Sequence, residues 1–206
     1  MAIAAIAGPG RGLPHGPARG APHILGLRDG AVATVRFVAP QDRAELQDYF
    51  RSLSPRSRYN RFTGARGGLS DQEFDELLRT GEQGRFAVVA RIGVGGTSTI
   101  VSEARYAFDG TAGSLEFGLS VHEAFRGQGI GLAMLVNLEC RARALGAGWM
   151  FGDTLWTNDE MQGLARKAGF ALSNTPGDWR EIRLRKPVAA RPCAGAWRDA
   201  SQLMIA

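Results

Sequence analysis

The chain has 206 residues, a hydrophobic share of 44% and a formal net charge of +5. That length suffices for one domain with a sizeable core and gives no reason to expect two, and the ordinary apolar content argues for a chain that folds unaided. The positive balance suits anionic partners, from nucleic acid to a phosphate-bearing ligand, without choosing among them. Only Lys167 and Lys186 among the 25 basic residues are lysine, a skew with no evident chemical meaning. Cys140 and Cys193 form no C-x-x-C pair, which suits a reducing compartment, and Cys140 falls in an apolar helical pattern that places it in the core. The opening MAIAAIAG is too short to span a membrane and lacks the basic residues that precede a signal peptide's apolar run, so a cytoplasmic protein is expected.

Residues 1–28 are rich in Gly, Pro and Ala without a sustained period and read as a disordered tail, in which His15 and His23 are too isolated to be ligands. The body, 29–187, then alternates. AVATVRFVA is a strand ending at Pro40. From Pro40 the spacing predicts a helix carrying Leu46, Tyr49, Phe50 and Leu53 on one stripe, and PRSRYNRF a short second helix. The basic residues Arg51, Arg56, Arg58, Arg61 and Arg66 precede the acidic Asp71, Glu73, Asp75 and Glu76; both read as solvated faces, and no RNA-binding aromatic signature accompanies them. In LSDQEFDELLRTG, Ser70 and Glu73 form a capping box and Gly81 a stop.

RFAVVARI and TSTIVSEARYAF are strands joined across GVGG; this glycine cluster (Gly93, Gly95, Gly96) has no helix behind it to hold a phosphate. SLEFGLSV is a further strand, followed by the loop RGQGIG and a helix ending near Leu145 and Gly146. A strand WMFGDTLW, a helix NDEMQGLARKAG and a hairpin of FALSN and WREIRLRK across NTPGD complete the body, leaving 188–206 as a C-terminal tail. Trp149, Trp156 and Trp179 read as core or strand-face residues, and Trp197 lies in the tail. The expectation is a mixed α/β domain of about seven strands and four helices, largely antiparallel rather than doubly wound, with no repeat period.

The loop from Arg126 to Gly131 carries the chemistry. A glycine loop opening a helix presents unpaired N–H groups at the positive end of the helix dipole, and Arg126 adds a full charge at its mouth. The dinucleotide fingerprint fails because Leu132 stands where a third glycine is needed, and Ile130 to Leu132 lack the Gly-Lys-Ser/Thr of a mononucleotide P-loop.

VHEAFRGQGIG resembles the acyl-CoA loop of the GNAT acetyltransferases, whose pattern Arg/Gln-x-x-Gly-x-Gly/Ala is met by Arg126, Gly129 and Gly131. Asn158 at the head of the next helix and the ending KAGF (Lys167 to Phe170) follow in the family's order, over about residues 32–187. Within the family, VRFVAPQDRAELQDYFRSLSPRSRYNRF is similar to the opening of the bacterial Pat-type protein lysine acetyltransferases. The resemblance implies a GNAT fold and acetyl transfer from acetyl-CoA, without a metal, to an amine, with protein lysine favoured as acceptor and neither nucleic acid nor membrane as partner. A small-molecule amine acetyltransferase and a non-catalytic CoA-sensing module are the alternatives.

Each role can be matched to a requirement. A lysine amine, with a pKa near 10.4, must lose a proton before it attacks a thioester, so a carboxylate base is needed; Glu116, alone among apolar neighbours in its strand, is the candidate. The resemblance places pantetheine along the main chain of Leu119, Ser120 and Val121, with an N–H between Gly118 and Val121 facing the oxyanion. It places pyrophosphate on Arg126, Gly127, Gln128, Gly129, Ile130, Gly131 and Leu132. Asn158 would bond the cofactor or cap its helix, Met161 would touch the pantetheine side or join Leu164 in the core, and Gly118 would allow a bulge. Many members carry a Tyr acid seven residues after the Asn; here Ala165 stands there, with His122 and Glu123 as possible substitutes.

Overall fold

The computed structural model describes residues 23–27, 30–62, 68–79, 81–94, 97–188 and 198–199. Its elements are β1 (His23–Gly26), β2 (Val32–Phe37), α1 (Arg43–Ser52), α2 (Pro55–Phe62), α3 (Asp71–Leu78), β3 (Arg85–Val94), β4 (Thr97–Asp109), β5 (Ser114–Val121), α4 (Ile130–Ala144), β6 (Trp149–Leu155), α5 (Asp159–Lys167), β7 (Ala171–Thr175), β8 (Asp178–Pro187) and the two-residue β9 (Arg198–Asp199). The strands form one sheet in the order β7-β8-β6-β5-β4-β3-β2-β1-β9, in which only β5 and β6 pair parallel. The mixed α/β, mostly antiparallel architecture is the expected one, with two strands and one helix more than the approximate count.

Two apolar clusters sandwich the sheet. The larger packs α4 through Ile130, Met134, Leu135 and Leu138 against β-strand residues such as Tyr106, Leu115, Phe117 and Met150. The smaller, on the opposite face, holds the predicted stripe of α1 (Leu46, Tyr49, Phe50, with Leu53 after it), Phe62 of α2 and Phe74 of α3 against Val89 and Ile100. α3 starts as its capping box predicts: Ser70 Oγ accepts from the Glu73 N–H at 3.2 Å and Glu73 Oε2 from the Ser70 N–H at 2.8 Å.

Several expectations change. β1 lies inside the segment read as an N-terminal tail: His23 to Gly26 pair with Val32 to Val35, and Leu25 is fully buried. His23 is not isolated, since its Nδ1 lies 3.2 Å from both Asn137 Nδ2 and Arg141 Nη2. Cys140 is buried as expected but is disulfide-bonded rather than a reduced thiol. Trp149, Trp156 and Trp179 are all exposed, Trp179 by 81%, which removes the core reading. The expectations for His15, Arg66, Gly95, Gly96, Cys193 and Trp197 fall outside the described residues.

The sheet has one weak seam. β5 and β6 are in register for three pairs only, Ser114↔Trp149 to Glu116↔Phe151. The last close contact is Gly152 against Phe117, where a Cβ would meet the Phe117 carbonyl oxygen at 2.6 Å. Gly152→Ala therefore forces backbone apart at the point where the strands separate, and is expected to destabilise the domain by about 1–3 kcal/mol. A urea midpoint equal to that of the wild type would refute this.

Candidate functional site: the cleft between β5 and β6

Beyond Phe117, β5 runs on beside a gap. The His122 N–H donates to Val101 O at 2.9 Å, which sets the parity of the antiparallel β4–β5 ladder. Residues 116, 118 and 120 turn their main-chain groups toward β4, and residues 117, 119 and 121 turn theirs toward the gap. Leu119 and Val121 thus present an edge to which no strand is paired, the arrangement to which an extended polar chain can add itself.

A cavity of about 530 Å³ fills this gap. β5 and the loop after it form one wall, the start of α5 another, and Ser57, Asn60 and Arg61 of α2 a third. Of the residues expected at the cofactor, Leu119, Ser120, Val121, Arg126, Gly127, Gly129, Ile130, Gly131, Leu132, Asn158 and Met161 line it, and Gln128 does not. A smaller cavity of about 40 Å³ continues between β5 and β6 to Asp153 and Leu184, sharing Asn60, Arg61, Leu119, Asn158 and Met161 with the first.

The glycines of the loop act in different ways. Gly127 (φ 78°) and Gly129 (φ 92°) hold left-handed conformations that side-chain-bearing residues resist. Gly129 caps α4 without a side-chain bond, and the first intrahelical bond there runs from Ala133 N–H to Gly129 O. The N–H groups at the head of α4 are therefore left for an anion. Gly131 serves packing instead: a Cβ there would lie 2.9 Å from Leu164 Cδ2. Arg126 is a clasp across the mouth, donating to Glu160 Oε2 at 2.6 Å, to Ser57 Oγ at 2.8 Å and to Val121 O at 3.4 Å.

Asn158 spends both ends of its amide locally. Oδ1 accepts from the Met161 N–H at 3.3 Å as the cap of α5, and Nδ2 donates to Thr154 Oγ1 at 2.9 Å. Gly118 makes no bulge, because the β4–β5 register is unbroken; its missing side chain leaves room for Arg61, whose Nη1 would lie 3.3 Å from an added Cβ. Ala165 is fully buried in the larger core and does not line the cavity.

Glu116 lies on the opposite face of β5 from Leu119 and Val121, in line with Gly118 and Ser120. It is only 7% exposed and does not line the large cavity. Burial, and next the charge of Asp153, push its carboxyl above the usual range. Asp153 itself is held by Arg183 (2.7 and 2.8 Å) and Thr175. Glu123 is a structural anion: burial works against it, yet bonds from Ser54 and Ser57 hold its carboxyl down at about 2, with Ser54 N–H donating to Oε1 at 2.9 Å. His122 Nδ1 accepts from the Ala124 N–H at 3.2 Å.

A model of the acetyltransferase (GNAT) family matches residues 44–170, more than half of the chain. The chain belongs to the GNAT acetyltransferase family. An acetyltransferase of Pseudomonas aeruginosa is 26% identical over 159 residues, 77% of this chain and 86% of that protein. Among solved structures, the GNAT domain of Streptomyces lividans PAT superposes with a TM-score of 0.72 at 23% identity, covering 81% of this chain and 96% of that one. An acetyltransferase from Salmonella typhimurium, determined with its cofactor acetyl-CoA, superposes at 0.60 with 19% identity, covering 77% and 95%. The cosubstrate of this GNAT acyltransferase is acetyl-CoA, and the cleft suits it: a strand edge for the amide-bearing pantetheine and a helix N-terminus for the pyrophosphate. Among the described residues, no cluster of His, Cys, Asp or Glu could hold a metal and no helix is long and apolar enough to cross a membrane.

Residues of PRSRYNRF were missed as site components. Ser57, Asn60 and Arg61 follow the i, i+3, i+4 spacing of one helical face, a signal obscured by reading the segment as a solvated basic surface.

Two outcomes follow. Gly129→Glu puts a strained backbone and a negative charge at the head of α4, and should weaken acetyl-CoA binding at least about 100-fold by calorimetry, equivalent to about 2.7 kcal/mol. Glu123 has a depressed folded pKa, so its stabilising contribution is complete above the ordinary value of 4.5 and is lost as pH falls toward about 2. Wild type should therefore lose more thermal stability between pH 5 and pH 2 than Glu123→Gln; parallel curves would show that the carboxylate holds nothing.

Proposed function

We propose that this enzyme acetylates protein lysine side chains, with Glu116 as the general base. The observation that carries the reading is the charge on the sheet face beyond α2. Strand alternation brings Glu116, Asp153 and Glu181 to that face together with Arg183 and Arg185. Arg183 is paired with Asp153, and Arg185 stacks 4.1 Å over the Trp149 ring. Among the described residues no hydrogen bond or ion pair engages Glu116 or Glu181, and burial followed by Asp153 raises both carboxyls. Two unpaired carboxylates beside a cleft attract a cation and can take its proton.

The proton must be taken. A lysine amine with pKa near 10.4 is almost wholly charged at neutral pH, and reaching the free amine costs about 4–5 kcal/mol. A carboxyl raised by its surroundings is a better proton acceptor than an ordinary one. After Glu116 takes one proton from the ammonium, the neutral amine attacks the acetyl carbon, the C–S bond breaks, coenzyme A departs as a thiolate, and the excess proton left on nitrogen passes to that thiolate. A thiol pKa near 8.5 makes that departure feasible without the tyrosine that Ala165 replaces. The face is open, with Trp179 brought to it by alternation and 81% exposed, which favours a side chain presented on a protein surface over an enclosed small amine.

Glu116→Gln removes the base and leaves the loop intact. Turnover is expected to fall about 10²–10⁴-fold in a thiol-release assay over lysine-bearing proteins and small amines, with acetyl-CoA affinity unchanged. In wild type, kcat should decline as pH falls through a carboxyl pKa above the ordinary 4.5, and the variant should lack that limb. Equal turnover in the two enzymes would exclude Glu116, and preference for a small amine would exclude a protein acceptor.

A further inference from the structure

The junction of the two cavities holds a charge for which the mechanism above gives no role. Arg61 lines both, although its side chain is only 4% exposed. Its Nε and Nη2 donate to the fully buried Glu103 of β4 at 2.8–3.0 Å. Glu103 also accepts from Arg105 Nε at 2.6 Å, and Arg105 Nη2 is buried with no hydrogen-bond partner. Two guanidiniums thus share the carboxylate of Glu103 beneath β5.

Among the described residues, the nearby carboxylates are engaged away from the cavity. Glu73 acts on Arg105 from the cap of α3, and Glu123 is engaged by Ser54. Burial pushes the Tyr49 hydroxyl far above its ordinary pKa, so it contributes no anion; it bonds Ser120 Oγ at 2.9 Å. A buried ionic cluster costs several kcal/mol per ion to desolvate and is often matched or exceeded in stability by apolar side chains of similar volume. Fold stability is therefore a poor account of it. A fixed positive charge in a low-dielectric site is instead well suited to negative charge that appears only during reaction.

We propose that Arg61, supported by Glu103 and Arg105, is a catalytic residue that stabilises the negative charge developing on the acetyl oxygen. This rests on acetyl transfer at this cleft. Once Glu116 holds the ammonium's proton, the neutral amine nitrogen bonds to the acetyl carbon and the carbonyl π pair moves onto oxygen, leaving on nitrogen an excess proton that the departing thiolate takes. Collapse re-forms the carbonyl, breaks the C–S bond and releases the thiolate. The guanidinium lies under Gly118, on the strand where the backbone edge turns toward the cleft. The absent Cβ at Gly118 is what allows the charge to come within reach of the reacting group.

The test replaces the whole group so that no partner is left stranded. Arg61→Met/Glu103→Met/Arg105→Met should fold with a Tm no lower than wild type and bind acetyl-CoA within about threefold, while kcat falls about 100-fold or more. Arg61→Lys, which keeps a positive charge at the same place, should retain kcat within about tenfold and serves if the triple variant does not fold. Turnover by a folded triple variant within about threefold of wild type would overturn the proposal, as would a loss carried wholly by acetyl-CoA affinity. If Arg61→Lys alone is available, a 100-fold loss of kcat with unchanged affinity and Tm also overturns it, because charge is then not what matters. A wild type that binds acetyl-CoA but acetylates no amine overturns the proposed function and this inference together; an active wild type with an equally active triple variant overturns this inference alone.

Discussion

Everything at the site depends on β5 and β6 pairing for only three residues. A parallel pair that continued would consume the main-chain groups of Leu119 and Val121 in the ladder, and no edge would remain for an extended ligand. Because the strands separate after Phe117 and Gly152, a sheet that is otherwise continuous from β7 to β9 contains an internal edge. Exposed edges invite unwanted pairing, but this one is walled by α2, α5 and the loop before α4. The cleft can therefore hold an added strand-like ligand without offering the same edge to another protein.

Polar contacts tie α2 to the other walls, which share the larger apolar cluster through Leu119, Val121, Met161 and Leu164. Arg126 reaches Glu160 of α5 and Ser57 of α2, Glu123 holds the N–H of Ser54, and Arg61 binds Glu103 beneath the sheet. The first of these is partly exposed and worth at most about 1 kcal/mol in such a setting; the buried pair would be costly to break from one side only. The cleft thus has a rigid floor at Arg61 and a mouth closed by a clasp that a bound pyrophosphate can compete for.

Much of this was legible in the residues. Helical stripes, the Ser70–Glu73 box and the strand–loop–helix around RGQGIG follow from local rules that read a few neighbours at a time. What escaped notice depends on residues distant in the chain. Pairing of β1 with β2 hides Leu25 within a segment whose composition looks disordered. The need for glycine at 118, 131 and 152 comes from Arg61, Leu164 and Phe117, none of which is adjacent, so the bulge expected at Gly118 was a local explanation for a tertiary constraint. Arg61 looked like one of several surface arginines because nothing nearby shows that Glu103, 42 residues on, awaits it.

The two faces of β5 divide the chemistry. Alternation sends Leu119 and Val121 to the side of α4 and Glu116, Gly118 and Ser120 to the other, and the main-chain parity sends the backbone of 119 and 121 into the cleft. The proposed base on one face can serve a thioester along the strand's edge only where the strand offers no obstacle between them. Gly118 is that position: it carries no side chain between Glu116 and Ser120, and Arg61 Nη1 lies 3.3 Å from where a Cβ would stand. A slip of one residue in the β4–β5 register would exchange the faces, burying the carboxylate under α4 and turning Leu119 toward Arg61. The long β4–β5 ladder, unbroken from Ser114 to Val121, fixes that register and with it the relation of Glu116, Arg61 and the cleft.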